Sequence, residues 1–380
     1  MRFRKFLLFI IVFFLAWGLL VYMMYYNTKK SEKRKEVSKE KIKQFNPKII
    51  GWIPFWDQEN AFESFAKNPS TFDFISVFWY RIDSNGAIKT YKSAVIDPSI
   101  IEFAHKHNVK VLAVIANLVD YTEGEGWDES RVAKIISTPG NRDKHINDIL
   151  SLVDEQNLDG IDIDYEALGG TQRENFSLFI EELSQKLHNK GKTLGVAIHP
   201  KTSENDPQEN NGAHAQDLLR ISKAADQMYF MTYTQHEITS EPGAPGEIGW
   251  TRGVLSYAID KVRVPSEKVF LGIGLSGVKW QVSADGSYEG ISDDIKFSEV
   301  LSTAKKNNAQ TKWDGNSKSP YLEYLQNGKK YVIWFENSES ASARFDLAKE
   351  FGVGGLAFWR LGGEDSKVWE EIAKIKNKKL

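Results

Sequence analysis

From Pro47 onward, short apolar runs alternate with stretches of helical periodicity. Each run is nearly continuous and has the length of a strand, which is typical of strands buried on both faces of a parallel sheet. The stretches between them, such as PSIIEFAHKHN and ENFSLFIEELSQKLHNKG, carry apolar residues at helical spacing and predict helices. The eight predicted strands cover residues 48–56, 72–82, 109–117, 158–166, 193–200, 226–234, 268–276 and 353–362.

Eight strands that alternate with helices favour a (β/α)8 TIM barrel, in which eight parallel strands close on themselves. An open doubly wound sheet is the alternative. That fold would carry a Gly-rich phosphate turn after the first strand, and IPFWDQEN contains none. Residues 47–376 form this domain, and they exceed the ~250 residues typical of the barrel.

The excess length is predicted to be a small insertion at about residues 278–335, between the seventh strand and the last helix. The sequences ADGS, WDGN and QNGKK within it are typical of hairpin turns. They indicate short strands and turns rather than one helix. Such an insertion would border one side of the barrel mouth.

Residues 1–26 form a separate segment. A basic lead, MRFRK, precedes an uncharged apolar run at residues 6–26, and at ~1.5 Å per residue such a run crosses a ~30 Å hydrocarbon core. No small-x-small cleavage site follows it, which favours an uncleaved signal-anchor, a transmembrane helix, over a signal peptide. Residues 27–46, rich in lysine and glutamate, predict a solvated stalk.

The composition excludes some kinds of site but does not identify the function. A net charge of −2 gives no electrostatic reason to expect a nucleic-acid partner. The chain has no cysteine, which excludes disulfides, thiolate zinc sites and a cysteine nucleophile. Aromatic residues make up 12% of the chain, which suits either a large aromatic core or stacking on sugar rings.

The fourth predicted strand, within LDGIDIDYEAL, carries a row of acids. Asp162, Asp164 and Glu166 are two residues apart, so a strand places them on one face and the apolar residues between them on the other. Barrel active sites lie at the carboxyl ends of the strands, toward which this row rises. Asp159 differs in parity, and we interpret it as structural at the start of the strand.

Three neighbouring carboxylates cannot all ionise cheaply, so at least one pKa is raised. Glu166, uppermost and longest, is the predicted proton donor, and Asp164 shares a proton with Asp162. A solvated edge strand and a hard-cation site are the alternatives. A parallel series of strands disfavours the first, and the lack of a second acid cluster on neighbouring strand ends disfavours the second. We therefore expect neither a metal nor a cofactor.

The segment LDGIDIDYE resembles the D-G-x-D-x-D-x-E signature of glycoside hydrolase family 18, the chitinase-type hydrolases. MYFMTYT in the sixth strand, GLAFWRLGGED in the eighth and GWIPFW in the first are also similar to segments of that family. The resemblance covers residues 48 to about 375. The WRLGGED ending, without chitin-binding or LysM modules, resembles the bacterial cell-wall and exopolysaccharide N-acetylglucosaminidase branch.

The resemblance implies a role for each matching residue. Glu166 would protonate the glycosidic oxygen, and the 2-acetamido carbonyl of the substrate would be the nucleophile, with net retention. Asp164, backed by Asp162, would orient the acetamido N–H. Tyr233 would hydrogen-bond the acetamido oxygen, and Trp359 would form the floor of the sugar subsite.

Three more residues, Tyr80, Trp52 and His236, are candidates for substrate contact. The family often has Asp or Asn directly after the tyrosine of the sixth strand, and here that residue is Thr234. This difference concerns the geometry of the bound sugar more than proton transfer, and His236 is a candidate substitute.

These features together predict a membrane-tethered glycosidase that cleaves N-acetylglucosamine-containing glycan, such as peptidoglycan, exopolysaccharide or a chitin-like polymer. Basic residues flank the anchor on both sides, and the positive-inside rule favours a cytoplasmic domain. We nevertheless expect an extracytoplasmic domain, because its substrate lies there. A catalytically silent, lectin-like barrel and a scaffold protein are the alternatives, and the intact Glu166 argues against both.

Overall fold

The structure is a computed structural model that describes residues 45–205 and 212–377. The predicted membrane anchor lies outside the described residues, as does the predicted stalk up to residue 44. Within the described ranges, no helix is both long enough and apolar enough to cross a membrane.

Eight parallel strands close into a barrel. Each pairs with two neighbours, and the first pairs with both the second and the last, so the barrel has no free edge. This confirms the predicted barrel and all eight predicted strands. In order around the barrel, they are β1 (Lys48–Pro54), β2 (Phe74–Ile82), β4 (Lys110–Ala116), β5 (Gly160–Asp164), β6 (Thr193–Ile198), β7 (Gln227–Phe230), β8 (Val269–Gly274) and β14 (Gly355–Trp359).

Helices follow the strands and cover the barrel, and many begin at a polar cap. Asp97 accepts a hydrogen bond from the Ser99 backbone, Thr138 accepts one from the Asn141 backbone, and Asn337 forms a capping box with Ser340. The helices within the described ranges are α1 (Gln58–Lys67), α2 (Pro98–Lys106), α3 (Glu129–Ile136), α4 (Pro139–Glu155), α5 (Arg173–Asn189), α6 (Leu218–Ala224), α7 (Ile248–Leu255), α8 (Phe297–Lys306), α9 (Ser338–Phe351) and α10 (Lys367–Asn377).

The predicted parity of β5 is confirmed by its two faces. On the outer side, Tyr165 stacks on Phe179 of α5 with ring centroids 5.8 Å apart, and its hydroxyl bonds Nε2 of the buried His145 at 2.7 Å. On the inner side, Trp52 of β1 lies edge-on to Tyr229 of β7, with centroids 5.1 Å apart. The acids of β5 therefore share the barrel interior with aromatic rings.

Asp159 directly precedes β5, at the start of the strand, as predicted. Its Oδ2 is 2.8 Å from His105 Nε2 and accepts a hydrogen bond from the Val111 backbone at 2.8 Å. This carboxylate joins α2, β4 and β5 at the end of the barrel opposite the acid row.

The insertion forms an antiparallel sheet in the order β10-β9-β13-β12-β11. The prediction of short strands and turns rather than one helix is confirmed, and a helix that was not predicted, α8, lies between β10 and β11. Apolar residues at helical spacing pack α8 on the sheet, where Val300 meets Leu322 and Ile333. The strands are β9 (Gly277–Val282), β10 (Tyr288–Ile295), β11 (Thr311–Asp314), β12 (Ser319–Gln326) and β13 (Lys329–Trp334).

Other elements were also not predicted, among them a short strand and the last helix. The short strand β3 (Ile88–Thr90) pairs antiparallel with the end of β2. The helix α9 follows the insertion as expected, but it is not the last helix, because α10 follows β14.

Ion pairs attach the insertion to the barrel mouth. Arg360, directly after β14, pairs with Asp294 of β10 and with Asp57. Lys296 also pairs with Asp57, at 2.6 Å. Arg360 is buried, and removal of either partner would leave part of its charge uncompensated. The position of the insertion is therefore fixed relative to the strand ends.

Gly160 begins β5 where neighbouring strands approach closely. A Cβ there would lie 2.1 Å from the Thr193 carbonyl oxygen and 2.8 Å from Leu112 Cδ2. We expect Gly160→Ala to lower the free energy of unfolding by about 1–3 kcal/mol, as overpacking does, measured by urea denaturation. Gly140→Ala, at an exposed helical position with nothing within 4 Å, should raise it by up to ~1 kcal/mol. If both substitutions changed the free energy of unfolding equally, close strand packing at Gly160 would not be the cause.

Candidate active site

Asp162 is the deepest acid of the row and is almost fully buried. Its Oδ2 accepts hydrogen bonds from Trp52 Nε1 at 2.8 Å and from Ser76 Oγ at 3.0 Å. Burial raises the pKa of Asp162 to about 7, against the lowering effect of these two hydrogen bonds. Strands β1 and β2 thus hold this carboxyl group with uncharged donors.

Asp164 and Glu166 lie above Asp162 and interact with each other. Burial raises the pKa of Asp164, with a further contribution from the charge of Asp162, and the hydrogen bond with Glu166 opposes this rise. Burial also raises the pKa of Glu166 well above its ordinary value, and the charges of Asp164 and Glu237 and the same hydrogen bond add to it. Glu166 therefore holds a proton near neutral pH, and it is the donor in its hydrogen bond with Asp164.

The backbone of Glu166 is clamped by a side chain from the neighbouring strand. Asn117, fully buried directly after β4, accepts from the Glu166 N–H at 2.8 Å and donates to the Glu166 carbonyl oxygen at 2.9 Å. The next residue, Ala167, has a positive φ of 58°. The amide pair fixes the chain where it turns out of the barrel, so the Glu166 side chain points from a rigid base.

A groove opens above the acids. Its inner lobe, of about 270 Å³, contains the acid row, and an outer lobe of about 370 Å³ extends beside the insertion. The walls of the inner lobe are largely aromatic, and sugar rings pack on such faces. The aromatic residues that line it are Trp52, Trp56, Phe78, Trp127, Tyr229, Tyr233 and Trp359.

Most of the predicted site residues meet in this groove. Tyr233 and Trp359 line both lobes, Trp52 lines the inner lobe and His236 the outer one. Burial raises the pKa of Tyr233 well above its ordinary value, and the nearby acids add to this, so its hydroxyl keeps its hydrogen. Thr234 lines both lobes too, and its hydroxyl donates to the Met231 carbonyl oxygen at 3.1 Å.

Tyr80 is the predicted residue that the structure does not bring to the groove. Its side chain is 3% exposed and does not line either lobe. The pairing of β2 with β4 shifts register between Val77 and Tyr80, and such an irregularity breaks the alternation of faces along a strand. Phe78 lines the groove instead.

Three acids in the groove were not predicted from the sequence, and one of them, Asp294, lines the outer lobe only. Glu237, in the loop after β7, and Asp293, on β10 of the insertion, line both lobes, and burial and the Asp293 charge raise the pKa of Glu237. Arg360 is the cation among the lining residues, and it is already paired with Asp57 and Asp294. The lining is therefore acidic, and the positive charge of Arg360 is already paired with carboxylates.

Other partners of the acid row were also missed. Ser76 and Asn117 are polar residues within or just after apolar strands, and that polarity was their only sequence signal. In the part of the chain that the structure describes, no group of three or more His, Cys, Asp and Glu residues could hold a metal ion.

Comparison with known proteins agrees with this geometry. The family model described as "Glycosyl hydrolases family 18" matches residues 82–364. YvbX of Bacillus subtilis, described as an uncharacterized glycosylase, is 29% identical over 275 residues, which cover 72% of this chain and 77% of that protein. The cortical fragment-lytic enzyme of Bacillus anthracis is 27% identical over 304 residues, which cover 79% of this chain and 67% of that enzyme.

Solved structures share the fold. The spore cortex-lytic enzyme SleL of Bacillus cereus superposes with a TM-score of 0.76 at 22% identity, over 87% of this chain and 74% of that one. A chitinase from Chromobacterium violaceum superposes with a TM-score of 0.77 at 22% identity, over 88% of this chain and all of that one. The family resemblance drawn from the acid row is thereby confirmed.

The raised pKa of Asp162 makes stability depend on pH. The folded protein retains a proton to about pH 7 that the unfolded chain loses near pH 4, so this contribution is complete below pH 4 and is lost as pH rises through 7. Asp162→Asn cannot ionise. Its free energy of unfolding relative to wild type should therefore rise by about 2–4 kcal/mol between pH 4 and pH 8, measured by urea denaturation. Asp159→Asn, outside the acid row, is the control, and an equal rise there would contradict the explanation.

Proposed function

Because this chain belongs to glycosyl hydrolase family 18, and is thus a glycan-cleaving hydrolase, we propose that it cleaves N-acetylglucosamine-containing glycan by a retaining, substrate-assisted mechanism. The observation that carries the proposal is the placement of Glu166 beside Asp164 at the base of an aromatic groove, where burial and the neighbouring acids raise the pKa of Glu166. A general acid must hold its proton at working pH and release it in the transition state, and this arrangement provides both conditions.

In the first step, Glu166 donates its proton to the glycosidic oxygen as the bond from that oxygen to the sugar C1 breaks. The 2-acetamido oxygen of the same sugar attacks C1, which gives an oxazolinium-like intermediate. Asp164 accepts a hydrogen bond from the acetamido N–H, and the Tyr233 hydroxyl donates to the acetamido oxygen. Both contacts hold the nucleophile in position for attack.

In the second step, water attacks C1 from the side that the leaving group has vacated, and one of its protons passes to the Glu166 carboxylate. The bond from C1 to the acetamido oxygen breaks at the same time, which restores the 2-acetamido group. The configuration at C1 is therefore retained, and Glu166 is again protonated. Asp162 remains below, hydrogen-bonded to Trp52 and Ser76. Its raised pKa lets a proton be shared within the row while Glu166 changes charge.

The substrate class is supported by the lining and by the relatives. Trp359 and Trp56 present aromatic surfaces along the groove, and Arg360 is engaged by carboxylates, so the groove suits sugars without negative charge. Two similar proteins are named a cortical fragment-lytic enzyme and a chitinase. We infer a polymer of the envelope, exopolysaccharide or chitin type.

We expect the purified protein to release reducing ends from at least one of chitooligosaccharide, poly-N-acetylglucosamine and peptidoglycan. Glu166→Gln keeps the shape of the side chain but has no transferable proton, so kcat should fall by ~10²–10⁴-fold. The control is Glu102→Gln, the same change at an exposed position on α2, which should leave kcat unchanged. Thiazoline mimics of the intermediate should inhibit the wild type.

Two outcomes would count against this mechanism. Wild type and Glu166→Gln that bind these glycans equally and cleave none of them would instead indicate a lectin-like barrel. Cleavage that is insensitive to thiazolines would remove the substrate-assisted step and leave the hydrolase.

We also propose that residues 6–26 anchor the protein in a membrane, with the hydrolase domain outside. The support is the uncharged apolar run after a basic lead and the location of the polymers named above. The full chain should sediment with membranes through high salt and be released by detergent, whereas a chain lacking residues 1–26 should remain in the supernatant. Protease added outside intact protoplasts should digest the domain, and its protection until lysis would place the domain on the cytoplasmic side.

A further inference from the structure

His199 directly follows β6, the strand beside β5. The two strands pair in parallel register, with Asp162 opposite Gly195 and Ile163 opposite Val196. The same offset, carried to the carboxyl ends, places His199 next to Glu166. The topology of the barrel therefore brings a second titratable side chain to the predicted proton donor.

The imidazole of His199 is buried beside the carboxyl group of Glu166. Its Nε2 lies 3.7 Å from Glu166 Oε2 and has no hydrogen-bond partner in the described ranges. The ring is 3% exposed, and Gly212 closes over it, since a Cβ there would lie 2.9 Å from Nε2. The backbone N–H of His199 donates to Gln216 Oε1 at 2.9 Å, and this bond holds the end of β6 in place.

Few groups near Glu166 could stabilise a negative charge on it. Asp164 on its own strand and Glu237 from the loop after β7 both raise its pKa. Tyr233 is engaged by the acetamido oxygen in the proposed mechanism. Lys201, two residues beyond His199, donates to two backbone carbonyl groups instead.

Two further residues near Glu166 also do not stabilise a negative charge on its carboxylate. Asn117 of β4 bonds only the backbone of Glu166, and Asp293 of the insertion adds negative charge beside Glu237. Burial lowers the pKa of His199 to about 3, so its ring is neutral and carries one N–H. A neutral ring leaves the proton on Glu166 before the reaction.

We propose that His199 is a positioning residue whose Nε2–H donates a hydrogen bond to the Glu166 carboxylate as that carboxylate forms. The inference rests on the proposed function, because it needs Glu166 to give up a proton. A hydrogen bond to a charged carboxylate is stronger than one to a neutral acid. The contact therefore tightens as charge develops and favours the transition state over the ground state.

No proton passes to His199 in this scheme. The proton leaves Glu166 for the glycosidic oxygen in the first step, and a proton from water returns to Glu166 in the second. Between the two steps, the imidazole N–H holds Oε2 in the orientation that it needs as a base.

Two substitutions separate hydrogen bonding from packing. His199→Leu fills much of the volume without a donor, and His199→Gln keeps an N–H donor close to the place of Nε2. We expect the Leu variant to lose about 10- to 100-fold in kcat, the range for a hydrogen bond to a charged group, with KM nearly unchanged. The Gln variant should retain most of the wild-type kcat.

The pH profile gives a readout that packing alone would not change. Without the donor, the Glu166 carboxylate is less stable and its pKa rises. The alkaline limb of kcat against pH should therefore move up by about one unit in the Leu variant, which corresponds to about a tenfold effect on the ionisation constant. Nitrogen-15 NMR of labelled histidine should show a neutral His199 ring with its hydrogen on Nε2 from pH 5 to 8.

Any of three results would overturn the inference: a Leu variant as active as wild type, an unmoved alkaline limb, or a ring hydrogen on Nδ1. The NMR result is independent of how well the variants fold. A wild type that cleaves none of the glycans would overturn the proposed function. An active wild type combined with any of these three results would overturn the role of His199 alone.

Discussion

The ionisation of three neighbouring carboxyl groups in one confined barrel interior is the constraint around which this site is built. The two-residue period of β5 aligns Asp162, Asp164 and Glu166, and closure of the sheet removes the water that would otherwise solvate their charges. The barrel interior provides Asp162 with two hydrogen-bond donors that carry no charge, Trp52 and Ser76. A buried cation beside these carboxyl groups would lower their pKa values, and the site would lose the proton that it needs for catalysis.

Barrel closure also explains how so many strands serve one row. The neighbours of β5 contribute most directly, because Asn117 follows β4 and His199 follows β6 at the same height. Strands farther around the barrel also reach the row, with Trp52 from β1, Ser76 from β2 and Tyr233 after β7.

The barrel and the acid row follow from local patterns, namely apolar runs, helical spacing and the parity of β5. Features that depend on pairing between distant segments do not. Tyr80 lies outside the groove because β2 and β4 shift register, which neither strand encodes alone. Asn117 gains its role only from contact with Glu166, which is 49 residues away in the sequence. Asp293 reaches the groove because it belongs to the insertion, whose helix α8 was not predicted.

The insertion has its own core of apolar residues, including Val300, Leu322 and Phe335, and it meets the strand ends through the Arg360 ion pairs. It borders the groove, yet every group that transfers or holds a proton in the proposed mechanism belongs to the barrel. One wall of the groove and the proton chemistry are therefore encoded in separable parts of the chain. Such modularity lets selection rebuild the outer lobe for a new polymer while the reaction at β5 is inherited unchanged.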